Sequence, residues 1–130
     1  MAVYREVDDD LVAQGVWGEV RHAIRASGEM EAKDWLDDAN NAAFVAKFDH
    51  LFRKVRAGQR ITNEQHFRHL SKHIWEFKRD ANRLLCFQDG RCWRLTHHFP
   101  KKSRKCPPKQ IERANRIRDE HLARQASKGE

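Results

Sequence analysis

The sequence has little cysteine and no long apolar run, and both shortages exclude classes of protein. Three cysteines, Cys86, Cys92 and Cys106, form an odd set without C-x-x-C spacing. A disulfide framework or a tetrahedral zinc site needs more ligands at closer intervals, so reduced, buried thiols are the expectation. No stretch approaches the ~18 consecutive apolar residues of a membrane span. The first residues, Met1 to Glu6, lack the basic-then-apolar layout of a secretory signal, which makes the cytoplasm the expected compartment. No internal repeat and no low-complexity linker divides the chain.

What is present is charge, unevenly placed. The net charge is +7 over 130 residues. Residues 1–40 hold 4 Lys/Arg against 10 Asp/Glu, whereas residues 41–130 hold 22 against 9. A surface tuned only for solubility accounts for the total but not for this segregation, which favours a polyanionic partner, nucleic acid or an acidic protein. Seven Phe, four Trp and one Tyr suffice for one modest core.

Residues 1–17 read as an N-terminal extension, 18–125 as one domain and 126–130 as a disordered tail. In the extension, Val3–Val7 suits a short strand. Asp8-Asp9-Asp10 offers cap oxygens to a short helix over Leu11–Val16. Glu19–Ala26 alternates as a strand, and Met30–Asp38 is a short helix. Ala42–Arg56 is the clearest helix. Its Phe44, Val45, Phe48, Leu51, Phe52 and Val55 form one apolar stripe, and Gly58 follows as a stop. Gln59–His73 reads as a polar loop or short helix holding His66, His69 and His73; exposed histidines are commoner there than metal ligands. Ile74–Lys78 is a strand with Trp75 and Phe77 on one face, Glu76 and Lys78 on the other. Arg83–Gln88 and Arg91–Phe99 flank Asp89-Gly90, a strong two-residue hairpin signal. Pro107-Pro108 opens a last helix, running to about Gln125 with Ile111, Ala114, Ile117 and His121 on its inner face.

A turn at Asp89-Gly90 sorts side chains by alternation. Leu84, Cys86, Trp93, Leu95, His97 and Phe99 fall on an apolar face directed at the Ala42–Arg56 helix. Arg83, Leu85, Phe87, Cys92, Arg94, Thr96 and His98 fall on the other, beside Glu76 and Lys78. Cys86 and Cys92 are thereby on opposite faces, which disfavours a bond between them.

The run Ile74-Trp75-Glu76-Phe77-Lys78, followed by Arg83-Leu84-Leu85-Cys86-Phe87, resembles the "LWELR … YRVLYF" strands of RelE/ParE toxins. Residues 95–114, from Leu95-Thr96-His97-His98-Phe99-Pro100-Lys101-Lys102 to Glu112-Arg113-Ala114, resemble the "LLHGFxKKTQKTPxxEIExA" signature of the phage-derived, HigB-like branch. In element order the resemblance covers roughly residues 18–122. It implies an α+β, RelE-like fold: a small antiparallel sheet packed on two N-terminal helices, with a C-terminal helix. It also implies the toxin of a type II toxin–antitoxin system, an mRNA endonuclease acting in the ribosome without metal or cofactor. The implied partners are a cognate antitoxin, probed first among helix-turn-helix proteins, and the ribosome with its mRNA; none is a membrane.

Cleavage of this kind needs cations where negative charge builds at phosphorus, and a proton carrier. The resemblance puts Arg83 and Lys102 at the phosphate, with Lys78 or Arg79 among the strand cations. Each lysine is alternatively an exposed charge that aids docking. His98 is the expected acid or base, because alternation places it with Arg83; His97 should face the core. Glu76 is either a base or, preferably, an ion-pair partner of Arg83 or Lys78. Arg79, Arg94, Lys101, Arg104, Lys105, Lys109 and Arg113 are expected to hold RNA backbone, although the basic stretch around Pro100–Arg118 also suits an acidic antitoxin segment. One residue departs from the pattern: many mRNA-cleaving relatives carry a tyrosine near the last strand or helix, and here the single tyrosine is Tyr4. Two other readings therefore stand beside the nuclease, a ParE-like inhibitor of DNA gyrase and a non-catalytic RNA- or protein-binding relative.

Overall fold

The computed structural model describes residues 8–101 and 105–128. Strands β1 (Leu11–Gln14), β2 (Glu19–His22), β3 (Phe67–Ser71), β4 (Ile74–Arg79), β5 (Asn82–Asp89) and β6 (Cys92–Pro100) form one sheet in the order β1-β2-β6-β5-β4-β3. Helices α1 (Glu31–Asp37) and α2 (Ala42–Arg56) follow β2, and α3 (Pro108–Ser127) ends the described chain. The class is α+β. The sheet is mixed rather than wholly antiparallel, because β2 runs parallel to β6. No helix among the described residues is long and apolar enough to cross a membrane.

Two expected elements are corrected. Leu11–Val16 is not a helix. Four residues between a triple aspartate and Gly15 are too few to repay helix nucleation, and Leu11, Ala13 and Gln14 instead pair with β2. Asp10 caps no helix; its carboxylate accepts from Arg21 at 2.6 Å and Arg94 at 2.7 Å. Gln59–His73 also contains a strand, β3, which pairs with β4 through Phe67↔Phe77, Arg68↔Glu76 and His69↔Trp75. Its polar residues hid the alternation, and its turn carries no glycine: Lys72 adopts φ +37°.

The β5–β6 hairpin turns at Gly90-Arg91, one residue later than expected, with Asp89 opposite Cys92. Gly90 supplies φ +65° at the first central position, as a type II′ turn requires. Because the slip displaces the pairing by two positions, the faces remain as expected up to Leu95. Beyond it the register shifts: Cys86 faces Leu95, but Leu85 faces His97. Thr96 is the extra residue of this bulge, its hydroxyl 3.1 Å from the Leu85 carbonyl. One extra residue reverses every side chain after it. His97 and Phe99 therefore join the face of Arg83 and Leu85, and His98 crosses to the face of Leu84.

Both faces are packed. Val20, Phe48, Leu51, Phe52, Phe77, Leu84, Cys86 and Leu95 form a core between the sheet and the α1–α2 pair. Ala23, Ile74, Leu85, Phe87, Phe99, Ala114 and Ile117 form a second core beneath α3. The expected open face is thus covered over much of its area. Polar contacts hold α3 down: Arg25 binds Glu120 at 2.7 Å, and the Ile24 amide donates to His121 Nδ1 at 2.9 Å.

Beyond α2, Gly58 has φ +77°, and a Cβ there would stand 2.8 Å from Cγ of Trp17. Gly58→Ala is therefore expected to lower stability by about 1–2 kcal/mol, since the backbone conformation is strained for an L-residue and Trp17 must move. A urea midpoint within error of the parent would contradict this.

Candidate active site

Alternation on three adjacent strands gathers one charged cluster. Arg68 on β3 pairs across from Glu76 on β4, and Lys78 on β4 pairs across from Arg83 on β5. All four side chains leave the sheet on the α3 side. Lys101 joins from the end of β6, where its amide donates to the Ala81 carbonyl at 2.7 Å.

Glu76 is fully buried at the centre. Its Oε1 accepts from Arg68 Nε at 3.2 Å. Its Oε2 lies 4.0 Å from Arg83 Nε, too far for a hydrogen bond. Among the described residues both of those atoms are buried without a hydrogen-bond partner. Arg83 is oriented instead by Nη1, which donates to the carbonyls of Asp80 at 2.7 Å and Asn82 at 3.0 Å. Burial, then the neighbouring guanidinium of Arg68, holds Lys78 below the usual lysine range. Burial likewise lowers Lys101, opposed by Glu76 and reinforced by Arg68 and Arg83. The thiol of Cys106 is pushed up to about 11 by burial and then by the Glu76 carboxylate. One carboxylate thus stands among four cations, an arrangement suited to an anion.

The structure sorts the expected residues. Glu76, Lys78 and Arg83 come together, but the hydrogen-bonded partner of Glu76 is Arg68 rather than the expected Arg83 or Lys78; Arg83 lies 4.0 Å away. His98 is not with them. The bulge places it on the opposite face, where Trp35 stacks on it with ring centres 4.0 Å apart and planes 9° from parallel. Its Nε2 donates to Asn82 Oδ1 at 2.9 Å. Burial lowers its pKa to about 4, so it is neutral at pH 7. His97, expected in the core of the other face, lies on the Arg83 face, 1% exposed, with Nε2 2.8 Å from Gln110 Oε1. It too is lowered to about 4 by burial.

Arg94 is tied to Asp10 and reaches the His22 carbonyl at 3.2 Å, so its charge is committed inside the fold. Arg113 pairs with Glu31. Arg79 is half-buried, while Lys105 and Lys109 are exposed. Lys102 and Arg104, like Tyr4, lie outside the described residues. No group of three His, Cys, Asp or Glu able to hold a metal occurs among the described residues. The sequence alone does not point to Arg68, because Gln59–His73 reads as a polar loop or short helix; once Phe67 and His69 are placed on one side of a strand, Arg68 must face Glu76.

A cationic cluster around one buried carboxylate, on one face of an α+β sheet, defines the class, a small basic α+β protein. The family model described as phage derived protein Gp49-like (DUF891) matches residues 34–119. The chain belongs to that phage-derived family, which is in general a RelE/toxin-like one. No curated protein matches the chain significantly.

Proposed function

We propose that the protein is a ribosome-dependent mRNA endonuclease, the toxin of a type II toxin–antitoxin pair of the HigB-like branch. The observation that carries this reading is the cluster of Arg68, Lys78, Arg83 and Lys101 around Glu76. A phosphodiester at its rim meets a surplus of positive charge in a partly desolvated site, where such charge acts most strongly on a transition state. In cleavage the 2′-oxygen bonds to phosphorus, the bond to the 5′-oxygen breaks, and a proton passes from the first oxygen to the base and from the acid to the second. Lys78 and Lys101, whose lowered pKa eases proton transfer, replace His98 as carriers. Glu76 holds Arg68 by a hydrogen bond and balances the charge beside Arg83, rather than touching substrate. A helix-turn-helix antitoxin and the ribosome are the proposed partners.

A toeprint assay on translating ribosomes tests this. New mRNA ends are expected with the parent protein, reduced about 100-fold in Arg83→Ala and in Lys101→Ala, the usual cost of losing one transition-state donor. Ends that persist in both variants, or intact mRNA with gyrase-dependent DNA breaks, would overturn the reading. A non-catalytic, RNA-binding role is the second reading. It is favoured by one observation: both histidines near the strand end are held neutral in packed positions.

A further inference from the structure

On the α2 side of the sheet, beside edge strand β3, lies a groove of about 630 Å³. Trp17, Phe67, Trp75 and Trp93 line it, with Arg60 and Arg68 at its rim and Glu64 as the one carboxylate among its lining residues. The helix pair stops short of it: α2 ends at Arg56 and contributes only Val55. Trp17 is 40% exposed, so part of its ring is open to the groove it lines. It is held in place by Gly58 beneath it and by Arg91, whose guanidinium carbon is 5.6 Å from the ring centre. The volume falls within the ~300–1,000 Å³ of sites that take a small molecule or one anchoring group.

Strand β3 joins this groove to the charged cluster. Phe67 and His69 face the groove side, opposite Phe77 and Trp75, while Arg68 between them reaches Glu76 on the other side. Residues adjacent on a strand are only ~3.3 Å apart along it. A single polymer crossing the β3 edge therefore meets phosphate-binding cations and aromatic rings within a short span. Flat rings interleaved with arginines are the means by which single-stranded nucleic acid is held without base pairing.

We infer that the groove seats an unpaired base of single-stranded RNA, next to the phosphate held at the Arg68–Arg83 cluster. This deepens the proposed function and rests on its RNA reading, though not on cleavage. The base stacks against the tryptophan rings. Arg60 meets its backbone.

The test is equilibrium binding of a short fluorescein-labelled single-stranded RNA, away from the ribosome, together with quenching of intrinsic tryptophan fluorescence by unlabelled RNA. Trp17→Ala removes an exposed loop ring, and Arg60→Glu reverses an exposed charge. Neither is a core change, and unchanged thermal midpoints would establish that both fold. Each is expected to weaken RNA binding about tenfold, Trp17→Ala without altering the salt slope and Arg60→Glu with a shallower one. Quenching by RNA should be pronounced in the parent and reduced in Trp17→Ala. Parental RNA affinity in both folded variants would overturn the inference. So would parental RNA affinity combined with lost binding of a partner protein, which would make the groove a protein dock. Its failure is distinguishable from failure of the nuclease reading: groove variants that lose RNA while Arg83→Ala changes no mRNA end would sustain the groove and sink the nuclease.

Discussion

Glu76→Gln is expected to destabilise the protein by about 3 kcal/mol, the low end for breaking a buried ion pair, and to lower the thermal midpoint by roughly 10 °C. The reason lies in what remains. Arg83 is 8% exposed, so its guanidinium stays largely out of water after the nearest carboxylate is gone. Arg68, whose side chain is 26% exposed, can turn toward solvent and recover part of the loss. A double-mutant cycle with Arg83→Met isolates the coupling. The double variant should recover at least about 1 kcal/mol relative to the sum of the single changes. RNA affinity should move the other way, because removing one negative charge raises the cluster's net charge and steepens the salt dependence. A Glu76→Gln protein within about 0.5 kcal/mol of the parent would mean that Glu76 does not organise the cluster.

How much of this was legible in the sequence differs by element, for physical reasons. The span of α2 was readable to the residue because a 3.6-residue apolar period is strong over fifteen positions and Gly58 marks its end. The β5 and β6 strands were readable because Gly90 forces a tight turn. What alternation could not supply was the Thr96 bulge. It depends on a tertiary fit, the Thr96 hydroxyl against the Leu85 carbonyl, and nothing local distinguishes it from a regular strand. Its consequence fell on the most informative residues, exchanging His97 and His98 between faces and removing the expected proton carrier. Strand β3 was hidden for another reason. An edge strand of Phe, Arg, His, Leu and Ser needs little apolar content, since one face packs and one edge meets solvent. The second core was hidden because the inner stripe of α3 is thin. Ala114, Ile117 and His121 are its buried residues, and the rest of the helix reads as basic surface. Cys86 and Cys92 do lie on opposite faces, and all three cysteines are free thiols.

Three buried histidines, one of them on that thin stripe, make the fold sensitive to acid, and the expected result is unfolding between about pH 6 and pH 4. His22, His97 and His121 are 3%, 1% and 2% exposed, and each is lowered to about 4, chiefly by burial. At His121 the charge of Arg94 adds to burial, while Asp89 and Asp10 oppose it. In the unfolded chain a histidine titrates near ~6.5. Between that value and about 4 the unfolded chain binds more protons, so stability rises with pH across the window and falls on acidification. Each histidine withholds at most about 3 kcal/mol by pH 4. Together they rival the ~5–15 kcal/mol of a whole domain. Glu19 and Glu120, held low by their arginine hydrogen bonds, lose their contribution in a lower window, below the ordinary glutamate range. The direct structural event is at α3: Nδ1 of His121 accepts the Ile24 amide, and a protonated ring cannot accept there. His121→Asn keeps an acceptor oxygen for that amide and removes the titration. Urea unfolding at pH 7, 6 and 5 should then show a stability loss between pH 7 and pH 5 smaller than the parent's by about 2 kcal/mol, the slope difference approaching ~1.4 kcal/mol per unit only toward pH 5. A parent whose stability is flat from pH 7 to pH 5, or an asparagine variant with an unchanged slope, would show that these rings are not the neutral, buried struts their packing describes.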